Sequence, residues 1–466
     1  MGTIKREGSE SLVGGEVTSL APHLVGAGEA IAAENIDPRD LRGATTRAGR
    51  SQFGVDNASA NGVKGLKAWR RDNGTDFLVA RLATTFYNVS AASWASIGIG
   101  GTSDERFQAA ALNDVLAIVV DGLAPRKWDG TTFGALGGTP PSESKYAVVH
   151  ASKLWLAGDD ANPQTKTFSA TNNPENFTAA NDAGSITTQD GGGDTIRGMA
   201  TNRKVLLTFY RHFTDVLIGD SVANFREERL QDRGLVSFGG HVSAGEVVFY
   251  ASDDAVYMVA GTRVSDITTV KFRQTYKDIA DKSKITLGVV GDLLLVTDYG
   301  ADKAYACAYK YNRWSTWTGQ AWESMDTTND YKLYAGTDNG STNQVWQLDT
   351  GTLDGASAIT ANWRTPNFAF GWPDAIKNLS AIKLMAKPGL GTTTITYYKN
   401  GVSTGSTTDV TFAASGDSDW AGRAGQSKVR GHNLGIKMQW VGAGTLLGYA
   451  LYAEVTTDEG QIPAET

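Results

Sequence analysis

"FLVARLATTFYNVSAASWASIG", residues 77–98, sets the pattern of this chain. A β-branched or aromatic run leads to a tight polar turn, a second run and a finish containing Trp. The unit recurs. "DVLAIVVDGLAPRKWDGTTFGALGG" starts at Asp114, "YAVVHASKLWLAGDD" at Tyr146, "KVLLTFYRHFTDVLIGD" at Lys204 and "EVVFYASDDAVYMVAG" at Glu246. "DLLLVTDYGADKAYACAYKYNRWSTWTG" follows at Asp292 and "YKLYAGTDNGSTNQVWQLDTG" at Tyr331. The starts lie roughly 30–60 residues apart, a spread that includes the ~40–45-residue period of propeller blades. Allowing for one split or merged pair, a β-propeller of six or seven blades is expected.

Composition agrees with an all-β chain. The 466 residues include 54 Gly and 12 Trp but only 11 Pro, and 41% are hydrophobic. Many glycines with many aromatics suit short strands and tight turns. The best stretch of helical character is "ANFREERLQDRG", Ala223–Gly234. Hairpin dipeptides occur at Asp121-Gly122, Asp129-Gly130 and Asn339-Gly340, where a turn with positive φ needs Gly or Asn. Two breaks in the repeat, residues 179–195 and 261–284, read as loop insertions.

Outside the repeat the pattern changes. Residues 1–60 read as an irregular arm, and 61–354 as the propeller with its insertions. From 355 to 466, short runs at short spacing and Asn400-Gly401 between alternating segments predict an antiparallel β-sandwich platform. That last part is mildly basic, with Lys377, Lys383, Lys387, Lys399, Arg423, Lys428, Arg430 and Lys437. It reads as ordinary surface charge or as a docking face.

Several chemistries lack their residues. Cys307 is the single cysteine, so neither an intrachain disulfide nor a multi-Cys metal site is available. The histidines His23, His150, His212, His241 and His432 show no metal-ligand spacing. His150 and His212 sit within strand pairs and read as core or turn residues. The pairs Asp159/Asp160 and Asp253/Asp254 fall at hairpin turns, where Asp is favoured. No P-loop occurs. Gly401-Val402-Ser403-Thr404-Gly405 fits the nucleophile-elbow spelling, but a strand rather than a helix is expected after it. No catalytic set, cofactor site or metal site is predicted. A net charge of −7 disfavours gripping nucleic acid, while leaving room for DNA to slide past. No apolar run is long enough for a membrane-spanning segment, and the N-terminus shows no secretory signal pattern.

Two features invite partners. Arg39, Arg42, Arg47 and Arg50 cluster at the end of the arm, either as a solvated turn or as an interface for an acidic partner. "GTDNGSTNQVW", Gly336–Trp346, is a degenerate form of the sialidase aspartate box. It keeps open the alternative of a carbohydrate-active propeller, a phage depolymerase or a glycosidase working through two tunnel-facing carboxylates.

The order of parts resembles the tail nozzle or hub family of short-tailed bacteriophages, which includes packaged-DNA stabilisation proteins and tail tubular protein B. Three stretches carry the likeness. In "LVGAGEAIAAENIDPRDLRGATTRAGRSQFG" (Leu24–Gly54), Ala33-Glu34-Asn35-Ile36-Asp37 precedes Arg47-Ala48-Gly49. The middle repeats "WDGTTFGALGG" and "NRWSTWTG" are similar to the family's propeller. "NWRTPNFAFGWPDAIKNLSAIKLMAKPG" (Asn362–Gly389) is similar to its C-terminal sandwich. The resemblance implies a structural virion protein, not an enzyme, in the bacteriophage tail, assembled in the host bacterial cytoplasm. It implies a homo-hexamer below the adaptor (head-to-tail connector) ring. The N-terminal arm would pack with the sandwich as the platform that meets the adaptor, and the hexamer itself would close the channel until ejection and pass genomic DNA without sequence-specific binding. Tail fibres, spikes or a tail needle are further candidates for docking.

Overall fold

The middle strands of the repeat are buried and largely apolar because both of their faces are covered. Leu154, Trp155, Leu156 and Ala157 are all buried, as is every residue from Leu293 to Asp298. Such continuous runs mark strands sandwiched between neighbouring sheets. The computed structural model describes residues 3–57, 62–101, 105–188, 193–337, 343–412, 420–424 and 429–456. Its strands form seven four-stranded antiparallel blades and a β-sandwich.

Blade 1 comprises Val63–Arg70, Asp76–Leu82, Thr85–Val89 and Trp94–Ile99. Blades 2 to 5 follow in the same order over Phe107–Ala135, Tyr146–Thr187, Gly198–Gln231 and His241–Asp266. Blade 6 runs from Ile285 to Thr318. Blade 7 takes three strands from Ser324–Leu348, and its fourth is Arg50–Asn57 from the arm. The innermost strands neighbour one another in ring order, and Ser324–Thr327 returns to Val63–Arg70. The propeller therefore has seven blades, and each of the seven sequence units falls in a separate one.

Aromatic and aliphatic side chains fill the seams between blades. Trp69, Phe86 and Trp128 fill the seam of blades 1 and 2, and Tyr146, Trp155, Phe168 and Tyr210 that of blades 3 and 4. Full burial of one such side chain contributes roughly 1.5–3 kcal/mol, so the ring is held mainly by these seams.

Two sequence expectations are corrected. Ala223–Gly234 holds no helix; Arg226–Gln231 is the outer strand of blade 4, paired with Thr214–Ile218. Pairing to an existing sheet edge overrides local helical character. The α-helix lies instead at Thr269–Lys277, inside the segment expected to be a loop. Its Phe272 and Tyr276, one turn apart, are buried, and Phe272 stacks on Trp314 at 4.4 Å.

The sandwich has one sheet in the order Thr3–Ser9, Thr445–Thr456, Ile376–Ala386, Trp420–Ala424. Its second sheet runs Ala32–Glu34, Thr360–Arg364, Leu434–Val441, Thr392–Lys399, Val402–Thr411. Arm residues Leu12, Ala30, Ala33, Ile36 and Ala44 share a core with Trp363, Tyr397, Met438, Trp440 and Leu451. The second sheet continues into the propeller, because Glu34 also pairs in parallel with Thr316 of blade 6. The arm is thus not confined to the platform, and the boundary expected at residue 60 passes beyond a strand that already belongs to blade 7.

Candidate assembly seam and axial cavity

The arm threads between propeller and sandwich, and buried polar residues of its own (Glu16, Asn35, Thr46 and Arg47) lie along it. Glu16 donates its amide to the Trp314 carbonyl at 2.8 Å, Thr18 to Lys271 at 2.8 Å and Asn35 to Thr316 at 2.8 Å. Gly15 lies at φ +75°, and a Cβ there would meet the Trp314 backbone at 3.1 Å. Only a glycine brings the arm this close.

Asn35 is the hub of the seam. It is buried at φ +55°, a left-handed conformation that Asn tolerates better than most residues. Its Nδ2 donates to the Thr360 carbonyl at 2.9 Å, at the start of a sandwich strand, and to Thr318 Oγ1 at 3.0 Å in blade 6. Its Oδ1 accepts from the Thr318 amide at 3.1 Å and from Arg47 Nε at 3.0 Å. One side chain therefore ties arm, propeller and sandwich together.

The arginines meet carboxylates, carbonyls and rings of their own chain. Arg47 is 3% exposed, makes a bidentate pair with Asp354 at 2.9 and 2.6 Å, and lies over the Trp317 ring at 5.2 Å. Arg39 bridges Asp37 and Asp349 at 2.8 and 2.6 Å. Burial works against its charged form, but the bonds to Asp349 and Asp37 outweigh it and raise its pKa. Arg50 donates to the Gly319 carbonyl at 2.6 Å and sits between Trp322 and Trp346, at 4.9 and 5.0 Å. Three of the four arginines expected at an interface thus have distant partners within their own chain. Arg39, Arg47 and Arg50 join the arm to the chain's own blades 6 and 7. Arg42, whose side chain is 72% exposed and bonded to Asp40, is the one of the four that faces outward. Buried charge needs a partner nearby, and here the partners are distant in sequence.

The innermost strands of all seven blades surround an axial cavity of about 500 Å³. Small residues such as Ala109, Ala147 and Ala200 line much of it. Its charge lies on one side. Glu323 faces Lys64 at 3.5 Å and Arg106 at 3.3 Å, and Asp326 accepts from Lys67 at 3.1 Å and from the Ala68 amide at 2.7 Å. Both carboxylates are thus engaged by cations. The Lys64–Arg106–Glu323 cluster and the neighbouring Lys67–Asp326 pair escape a sequence reading, because they converge only when blade 7 closes on blade 1.

Other candidate residues have structural surroundings. His150 is buried, and burial lowers its pKa. His212 is exposed at a turn, 3.1 Å from Asp194. Asp160 pairs with Lys145, Asp253 with Arg211 and Asp254 with Arg233. Ser403 lies in the strand Val402–Thr411, so no helix follows it. Lys377 is buried and donates to the Trp372 carbonyl. The Asn339-Gly340 dipeptide and the centre of the aspartate-box segment lie outside the described residues.

No protein-family model matches the sequence, and no curated protein sequence matches it. Solved structures are similar at the level of the propeller. The extracellular domain of a two-component system from B. thetaiotaomicron is 11% identical, with a TM-score of 0.46 over 67% of this chain and 40% of that one. The WD40 domain of Neurospora crassa Pan2 is 10% identical, with a TM-score of 0.44 over 66% of this chain and 96% of that one. BamB from Moraxella catarrhalis is 12% identical, with a TM-score of 0.42 over 65% and 98%. The blade count and ring closure given above rest on this chain's own strand pairing.

Proposed function

We propose that the chain is a structural subunit of a short-tailed bacteriophage tail nozzle. In this reading six copies form a ring below the adaptor, close the DNA channel until ejection and conduct DNA during infection. One observation carries the proposal. The residues that bear the resemblance, Ala33–Asp37 and Arg47–Gly49, are the ones that weld arm, propeller and sandwich into one unit. Asn35 bonds to Thr318 and to the Thr360 carbonyl, and Arg47 bonds to Asp354. A joint of this kind suits a load-bearing part, because tying the two domains through buried polar bonds limits their relative motion. The carbohydrate-active alternative gains no comparable support, since both acidic groups in the axial cavity are engaged by cations.

Electron microscopy and mass photometry of the purified protein mixed with a head-to-tail adaptor protein test this reading. A six-fold ring with a central channel is expected. Monomers alone, with the adaptor present across a wide concentration range, would overturn it.

A further inference from the structure

Glu16 is a buried carboxylate at the three-way joint, and no cation among the described residues pairs with it. It is 6% exposed. Its backbone amide bonds to Trp314, and its Oε2 accepts from Thr316 Oγ1 at 2.9 Å, both on the outer strand of blade 6. Among the described residues no Lys, Arg or His makes an ion pair with it. The charged and titratable groups around it are otherwise committed. Glu34, on the arm strand that joins the sandwich, adds a like charge, and its Oε2 accepts from Asn362 Nδ2 at 2.6 Å. Tyr305, on the next strand of blade 6, feels the Glu16 charge. Lys271, on the helix beside Thr18, is paired with Glu29 at 2.8 Å. Arg364, which pairs across from Ala32, is turned onto the Gly401 carbonyl and the Tyr398 ring.

We propose that Glu16 is a proton-operated latch between propeller and sandwich, sealing the joint when neutral and loosening it when ionised. A neutral carboxyl fits a buried seam flanked by a second carboxylate, whereas a charge there has no counter-ion among the described residues. The titration falls in a useful range. Burial pushes the Glu16 carboxyl up to about 7 against hydrogen bonds from the Thr316 hydroxyl and from the Thr316 and Ala33 backbone, and the Glu34 charge adds to the rise.

The direction follows from linkage. The carboxyl is raised from 4.5 to about 7 in the folded joint. Below about pH 4.5 it is protonated whether the joint is closed or open. As pH rises toward 7, the open form releases a proton that the closed form must keep. Closure therefore weakens through that window and stays weaker above it.

Hydrogen exchange at the Glu16 and Asn35 amides, corrected for intrinsic rates, tests the latch in the full chain. Protection should fall roughly 30-fold between about pH 5.5 and pH 8.5. In Glu16→Gln, which keeps the size and an acceptor oxygen for Thr316, protection should be flat. In Glu34→Gln the like charge is gone, so the fall should shift to lower pH and shrink across the same range. An equal fall in Glu16→Gln and the unaltered chain, or no fall in the unaltered chain, would overturn the proposal. An unmoved profile in Glu34→Gln would do the same.

Discussion

Arg47 donates two parallel hydrogen bonds to the Asp354 carboxylate, 2.9 and 2.6 Å long, across the place where the chain leaves the propeller for the sandwich. The arginine comes from the arm and the aspartate from the short strand Leu353–Asp354. Trp317 covers the guanidinium at 5.2 Å. Removing one member of a buried pair leaves the other without compensation. Arg47→Ala should therefore destabilise the protein by about 3 kcal/mol, seen as a lower midpoint in urea denaturation. A midpoint equal to that of the unaltered protein would contradict the assignment.

Two residues on, Gly49 passes so close to the same strand that a Cβ would lie 2.0 Å from the Leu353 carbonyl oxygen. Both atoms involved belong to backbone, and Gly49 is held there by bonds to Gly351 and Thr350. Neither side can yield as a flexible side chain would. Gly49→Ala should cost at least about 1–3 kcal/mol and should loosen Arg50–Asn57 from blade 7. Limited proteolysis would show this as new cleavage near residues 50–57.

Arg39 and Arg42 separate an internal role from an external one. Arg39 holds two carboxylates, so Arg39→Ala should lose roughly 1–3 kcal/mol. Arg42 is exposed and bonds within its own loop, so Arg42→Ala should leave the melting temperature unchanged. If the arm end also meets an acidic neighbour, Arg42→Ala should weaken ring or adaptor binding in a salt-dependent way. Unchanged assembly at every salt concentration would return Arg42 to an ordinary surface residue.

The blades are legible in the sequence where both faces of a strand are covered. Leu154–Ala157 and Leu293–Val296 announce themselves by unbroken apolar runs. Gly198–Thr201, His241–Ala244 and Ser324–Thr327 carry no such signal, because they line the axial cavity and are short. Turns are half legible. Asn400-Gly401 has positive φ at both residues, as its spelling suggests, but Asn113-Asp114 and Ala151-Ser152 make tight turns without any glycine. Arg50–Asn57 escapes because it is an outer strand with a half-exposed, polar pattern, and the blade it completes comes from the far end of the propeller. The arginine cluster is legible as charge only. Its carboxylates, Asp349 and Asp354, lie some 300 residues away, and a count of local charge cannot find them.

His241 provides an acid-side test of the propeller. It sits between blades 4 and 5, 5.6 Å from the Phe209 ring, in contact range of the Gly198 position. Burial lowers its pKa from 6.5 to about 4. Above about pH 6.5 the ring is neutral whether the chain is folded or not, and its contribution is full. As pH falls from 6.5 toward 4, the unfolded chain takes up a proton that the folded seam refuses, so stability is lost through that window. The loss attributable to this one group approaches about 3 kcal/mol. His241→Phe keeps an aromatic ring at the seam and removes the titration. Its stability, measured by urea denaturation from about pH 7 to pH 4, should fall less steeply than that of the unaltered protein by about that amount. Parallel curves for the two proteins would show that the ring is already protonated in the folded seam or that the seam opens first.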